Sequence, residues 1–227
     1  MQEFENKEAL EIVLSNRIAS IIKRNLQKQD HVSILFSGGS TPKGLLNRLA
    51  SMPLDWQRLK ISLVDDRMVA VDSPFSNAGM IQRELLERIP SIEPSPTFVP
   101  LVLFPSNFEQ NLNDLNKGLE LLGNIDIVLL GMGLDGHFAS LFPQDNASYQ
   151  GLSHSYEAPL LYTKAPAFPE DRITFSWPFL KTAKHLFLHV TGAPKKEIIQ
   201  QNHQDSNLPI QTLLNDHQNN LEIVWAP

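Results

Sequence analysis

Apolar residues recur along this chain in two alternating rhythms. From residue 4 to 29, Leu10, Val13, Leu14, Ile18, Ile21, Ile22 and Leu26 fall at helical spacing with charges between them. That pattern predicts an amphipathic helix with one face on a core. Val32 to Phe36 follows as a short, buried strand. After the turn Ser37-Gly38-Gly39-Ser40-Thr41-Pro42, Leu45, Leu46 and Leu49 resume the helical rhythm. Thr41 is the expected N-cap and Pro42 suits the first helical position. The cycle repeats with a strand at 59–64, Asp65-Asp66-Arg67 at its end, and a helix from Ser76-Asn77 to Arg88. Five prolines between 90 and 105 forbid a helix but allow a strand around Phe98 to Val102. Ser106-Asn107-Phe108-Glu109 has the form of a capping box opening a helix to about Leu122. A strand at 125–130 comes next, then strands at 159–163, 173–176, 186–190 and 221–225, with helices at 194–202 and 209–214. Strands alternating with helices predict an α/β fold of Rossmann-like type, an open, mainly parallel sheet with helices on both faces. The whole chain, 1–227, is read as one such domain.

Composition narrows the classes of function. Hydrophobic residues make up 42% of the 227, and charged residues 19%, ordinary values for a globular domain. A formal net charge of −6 argues against a nucleic-acid partner held by phosphate neutralisation. The absence of cysteine excludes disulfides, thiolate nucleophiles and cysteine zinc sites. Met1 to Lys7 lacks the apolar stretch of a secretory signal, and no apolar run approaches the ~20 residues of a bilayer span. The expected location is cytoplasmic, with no membrane partner, and either a monomer or a homodimer is compatible.

Two glycine turns carry the chemistry. Ser37 to Pro42 lies between a strand and a helix start, where unpaired N–H groups and a helix dipole favour a phosphate. Gly38, Gly39, Ser40 and Thr41 are the expected contacts; a plain β–α turn is the other reading. The second run, Gly131-Met132-Gly133-Leu134-Asp135-Gly136-His137-Phe138-Ala139-Ser140-Leu141-Phe142-Pro143, stands where a strand hands over to a helix. It formally matches Gly-x-Gly-x-x-Gly, but it lies mid-chain, Pro143 breaks the following helix, and Glu157 precedes a strand instead of ending one. A dinucleotide site fits poorly. His137 is the better lead, because flanking glycines leave it exposed at a strand end, where it can move protons near neutral pH. Asp135 either orients it or shapes the turn, and shaping the turn is the reading preferred. Gly131, Gly133 and Gly136 supply backbone N–H groups that could hold an oxyanion, as could a cation. Arg67, Arg172 and Lys195 are the candidate cations for a phosphate or carboxylate clamp. His31, His154, His185, His189, His203 and His217 are read as structural or solvent-facing. His185 and His189 share a strand face, but no third ligand is apparent by spacing, so no metal is expected.

The segments Ser37–Pro42, Asp65-Asp66-Arg67, Ser76-Asn77, Gly131–Pro143, Arg172-Ile173-Thr174 and Thr191-Gly192 with its following lysine resemble, in this order, the 6-phosphogluconolactonases. These are related to the glucosamine-6-phosphate deaminases. The deaminases usually follow the histidine with Ala-Phe-Asn-Glu-Pro and carry Asp-Glu-Tyr where this chain has Asp65-Asp66-Arg67. Here Ala139-Ser140-Leu141-Phe142-Pro143 lacks the glutamate, so both differences point to the lactonase. Asp66 stands where the lactonases commonly have glutamate. The resemblance implies hydrolysis of 6-phosphoglucono-1,5-lactone in the oxidative pentose phosphate pathway. In that reading His137 is general base and then general acid, the sugar-phosphate lactone is a small-molecule partner, and no cofactor is required. A deaminase or isomerase of amino-sugar phosphates and a non-catalytic sugar-phosphate-binding regulator remain the alternatives.

Overall fold

Val32–Phe36 and Ile127–Leu130 are buried along their whole length, so neither strand has a solvent face. Such strands belong inside a parallel sheet covered on both sides. In the computed structural model of the chain, which describes residues 1–90, 95–201, 208–216 and 220–227, they are the centre of one. The strands of that sheet are β1 (Gln2–Glu3), β2 (Val32–Phe36), β3 (Leu59–Leu63), β5 (Thr97–Phe98), β6 (Ile127–Leu130), β9 (His185–Thr191) and β10 (Leu221–Ala226). Their order is β1-β10-β9-β6-β2-β3-β5, and every pairing is parallel. The 98–102 strand ends at Phe98. The predicted strands at 159–163 and 173–176 join a separate antiparallel sheet, together with the acidic segment after β3. That sheet holds β4 (Asp65–Arg67), β8 (Asp171–Phe175) and β7 (Leu160–Lys164) in that order.

The helices are α1 (Lys7–Leu26), α2 (Lys43–Ala50), α3 (Asn77–Glu84), α4 (Phe108–Leu122), α5 (Asn146–Leu152), α6 (Trp177–Leu180), α7 (Ala193–Gln200) and α8 (Pro209–Asn215). In α1 the residues Leu10, Leu14, Ile18, Ile21 and Ile22 form the buried stripe, and Asn6 caps the start by accepting from the Ala9 N–H at 2.9 Å. The α4 cap is Asn107, not Ser106, and its side chain accepts from the Gln110 N–H at 3.0 Å. At α2 the cap position is Pro42, and no side chain caps the helix, so Thr41 does not play that part. His203, His217 and the end of the 194–202 helix at Asn202 lie outside the described residues.

The connections run in two directions. From β2 the chain crosses to β3, and from β5 it returns past both to β6 and then proceeds outward to β9 and β10. Right-handed crossovers put helices of opposite travel on opposite faces. The direction reverses between β2 and β6, which are hydrogen-bonded neighbours with Phe36 opposite Leu129. In open α/β sheets such a switch point is where the loops part and leave a crevice at the carboxyl ends of the strands. The buried apolar residues form one contiguous core spanning both sheets and the helices packed on them.

Candidate active site

Both glycine turns leave the sheet at that switch point, side by side. The Gly131 N–H donates to the Ser37 hydroxyl at 3.0 Å, and the Ser37 N–H donates to the Leu129 carbonyl at 2.9 Å, stitching the two loops together. Between them opens a cavity of about 220 Å³. Its wall includes Gly38, Gly39, Ser40, Thr41, Arg67, Gly131, Gly133, His137 and Lys195 from the expected set. Asn77, Asp65 and His189 also line it, and none of these three was among the expected site residues.

The histidine is held by its neighbours. Asp135 Oδ1 lies 2.6 Å from His137 Nδ1 and 3.3 Å from the His137 backbone nitrogen. A carboxylate only accepts, so in the neutral imidazole the pairing puts the ring hydrogen on Nδ1 and leaves Nε2 with its lone pair, and in the imidazolium it pairs opposite charges. Burial raises the pKa of the Asp135 carboxyl, but the hydrogen bond and charge of His137 outweigh it and hold it below the usual carboxylate range. Asp135 therefore does more than shape the turn: it grips the imidazole from below. Phe142 packs on the ring, with centroids 4.6 Å apart. A Cβ on Gly133 would come within 2.3 Å of the imidazole, so the absent side chain is the space that the ring occupies. Gly38 is open for the same reason, since the Asn77 side chain lies 1.9 Å from where its Cβ would be.

The run after Gly131 does not hand over to a helix. It stays irregular until α5 begins at Asn146, with Ala139 and Gln144 at positive φ. Hydroxyl contacts fix it instead. Ser140 donates to Asp65 at 2.6 Å, its N–H donates to Thr174 at 3.2 Å, and Thr163 donates to the Ser140 carbonyl at 2.7 Å. The small antiparallel sheet is thus the brace for the histidine loop.

The three glycine N–H groups expected to hold an oxyanion are already engaged. Gly131 donates to Ser37, Gly133 to the His137 carbonyl at 2.9 Å, and Gly136 to the Gly133 carbonyl at 3.2 Å. Gly136 also stands off the cavity wall, against Leu208 and Ile210 of the α8 region. Of the two means considered for the oxyanion, a cation is the one left.

The cations divide. Arg67 and Arg172 face each other across β4 and β8, yet only Arg67 reaches the cavity. Arg172 is buried; its guanidinium donates to the Pro169 carbonyl and lies 5.9 Å from the Phe142 ring centre. Burial first, and then the charge of Arg67, pull its pKa down to about 10. Lys195 lies on the wall near the start of α7; burial lowers its pKa while the charge of Asp135 works the other way. Neither the Ser40 nor the Thr41 hydroxyl has a partner among the described residues. With no side-chain cap on α2, its first turn keeps its N–H groups for something else.

Asp66 shapes the site from behind. It accepts from the backbone N–H groups of Arg67, Asn77 and Ala78 at 2.8, 2.7 and 3.0 Å, pinning the start of α3 to β4. Asn77 is then held by donating to the Asp65 carbonyl at 3.0 Å.

The crevice at the sheet's switch point thus sets a carboxylate-held histidine on one loop against two hydroxyls beside an uncapped helix start on the other. Residues 5–225 match the family described as glucosamine-6-phosphate isomerases/6-phosphogluconolactonase, and the chain belongs to that family. The 6-phosphogluconolactonase of Rhizobium meliloti (strain 1021) is 31% identical over 231 residues, covering 100% of this chain and 98% of the relative. That of Pseudomonas putida is 30% identical, covering 100% and 93%. Among solved structures, a 6-phosphogluconolactonase from Shewanella baltica OS155 matches with a TM-score of 0.90 at 27% identity, covering 100% of this chain and 97% of that one. Among the described residues, no helix is long and apolar enough to cross a membrane.

Proposed function

We propose that this protein hydrolyses 6-phosphoglucono-1,5-lactone to 6-phosphogluconate, with His137 moving the protons. The observation that carries this reading is the 2.6 Å Asp135–His137 contact on the wall of a cavity whose opposite loop offers Ser40 and Thr41. The family membership and the lactonase names of its relatives support it.

The chemistry follows from the groups available. The phosphate rests on the Ser40 and Thr41 hydroxyls and the first turn of α2, with Arg67 supplying positive charge. Remote binding of this kind fixes the lactone carbonyl in reach of the histidine. His137 Nε2 takes a proton from water, and the water oxygen bonds to the lactone carbonyl carbon as the carbonyl electron pair moves onto its oxygen. Asp135 steadies the imidazolium that results. The Lys195 ammonium is the cation for the tetrahedral oxyanion. When the carbonyl reforms, the bond to the ring oxygen breaks, and that oxygen takes the proton back from His137. The product acid then ionises to water, returning the enzyme to its starting state. Positioned proton transfer contributes roughly 10²–10⁴-fold, and one well-placed oxyanion partner about 3 kcal/mol.

The test offers 6-phosphogluconolactone and glucosamine 6-phosphate to the purified protein and follows acid and ammonia release, with spontaneous lactone hydrolysis subtracted. Enzyme-dependent acid release alone is the expected result. Ammonia release, or binding without either product, would overturn the reading.

A further inference from the structure

His189 is an odd residue to find at the base of this cavity. It lies on β9, one position beyond Leu188, which pairs with Leu130; it therefore stands beside the start of the Gly131 turn. The residue is 2% exposed and forms part of the cavity wall. Both ring nitrogens are buried, and neither meets a hydrogen-bonding group among the described residues. Buried polar atoms in folded proteins are nearly always paired, because leaving one unpaired forfeits its hydration without return. An apolar residue would fill this strand position without that cost, as Leu188 and Val190 do on either side.

We propose that His189 is a substrate-contacting residue that reads a sugar hydroxyl, the molecule in the cavity supplying the partner that the protein does not. The inference rests on the reading of this cavity as a sugar-phosphate lactone site. It adds a contact that neither the proton-transfer pair nor the phosphate loop provides. Burial, with the charges of Lys7 and Lys195 behind it, pushes the imidazole down to about 4, so it is neutral at physiological pH. A neutral imidazole offers one N–H and one lone pair, the same complement as a hydroxyl. It is poorly suited to a phosphate dianion, for which Arg67 lies in the same wall. A site built to pair a substrate hydroxyl discriminates by leaving its own polar group stranded when the wrong molecule binds.

The test compares the wild-type protein with His189→Leu, His189→Asn and His189→Gln, titrating each with 6-phosphogluconate and with inorganic phosphate by calorimetry. The amides carry a donor and an acceptor near the positions of Nδ1 and Nε2 respectively. The leucine variant is expected to bind 6-phosphogluconate about tenfold more weakly, the loss of one neutral hydrogen bond, with inorganic phosphate unchanged. One of the two amides restores most of the affinity. Equal weakening of both ligands, unchanged 6-phosphogluconate binding in the leucine variant, or no recovery with either amide would overturn the assignment. Should the leucine variant not fold, the amides decide: wild-type affinity for 6-phosphogluconate in both would overturn it, and a selective loss in one would support it. Lactone turnover by the wild-type protein is measured alongside. Selective loss of 6-phosphogluconate binding without wild-type turnover would count against the proposed activity and leave the His189 contact standing.

Discussion

Gly133 is bare because His137 occupies the space where its side chain would be. The Gly133→Ala substitution therefore acts on the Asp135–His137 pair, since its methyl group would lie 2.3 Å from the imidazole and 2.5 Å from Asp135 Oδ1 and must force the two apart or aside. Loss of lactone turnover by about 10²-fold or more, with the fold intact by circular dichroism, is the expected outcome, since misplacement of about 1 Å costs this much. The cations invite a second test, because Arg67 is on the cavity wall and Arg172 is not. Arg67→Ala should raise KM with little change in kcat. Arg172→Ala should instead lower the denaturation midpoint, since it removes a buried guanidinium that packs on Phe142; a KM effect as large as that of Arg67→Ala would refute the distinction. Sequence spacing pairs these two arginines equally well with a ligand. The register of β4 against β8 sets them opposite each other, and only the contacts of the Arg172 guanidinium with the Pro169 carbonyl and the Phe142 ring hold it off the cavity. His189 was illegible for a related reason: in sequence it is one polar residue in an apolar strand, and its place depends on β9 lying next to β6.

At the scale of elements, the central strands β2 and β6 were legible because they are buried along their whole length and read as unbroken apolar runs, whereas the exposed edge strand β1, Gln2–Glu3, carries no such signal. The small antiparallel sheet was not legible, since its strands look the same as parallel ones until their partners are known. The join between β4 and α3 is where a single side chain matters most. Asp66 accepts three backbone N–H groups through its two oxygens. Asp66→Asn turns one acceptor into a donor facing a donor, which should cost about 1–3 kcal/mol at pH 7 by urea denaturation. A change within about 0.5 kcal/mol would mean that α3 is held by its other contacts. The α2 start shows the opposite economy. Thr41 looks like a cap in sequence, but no side chain caps this helix, which under the proposed reading leaves its first turn to the phosphate.

For the whole molecule, two buried titratable groups act on stability in opposite senses. His189 titrates near 4 when folded, against about 6.5 in an unfolded chain. The unfolded chain therefore takes up its proton first, and the stability tied to this residue is lost as pH falls from about 6.5 to about 4. Asp66 is raised to about 6, burial outweighing its backbone hydrogen bonds, so its folded form holds a proton sooner and gains stability on acidification. Comparing wild type with His189→Leu cancels the Asp66 part. Between pH 7 and about pH 4.5, wild type should lose about 2 kcal/mol more than the variant; parallel pH profiles would contradict the buried, neutral imidazole. The switch point itself could be anticipated only as two glycine turns after two strands. That they adjoin is a property of the strand order, which no local pattern encodes. In the proposed mechanism His137 performs the proton transfers, in a cavity lined by both turns. The most direct measurement is lactone turnover by His137→Ala alongside its affinity for 6-phosphogluconate. Turnover should fall by roughly 10²–10⁴-fold with affinity within about threefold of wild type; turnover near the wild-type rate would rule His137 out as the proton-transfer residue.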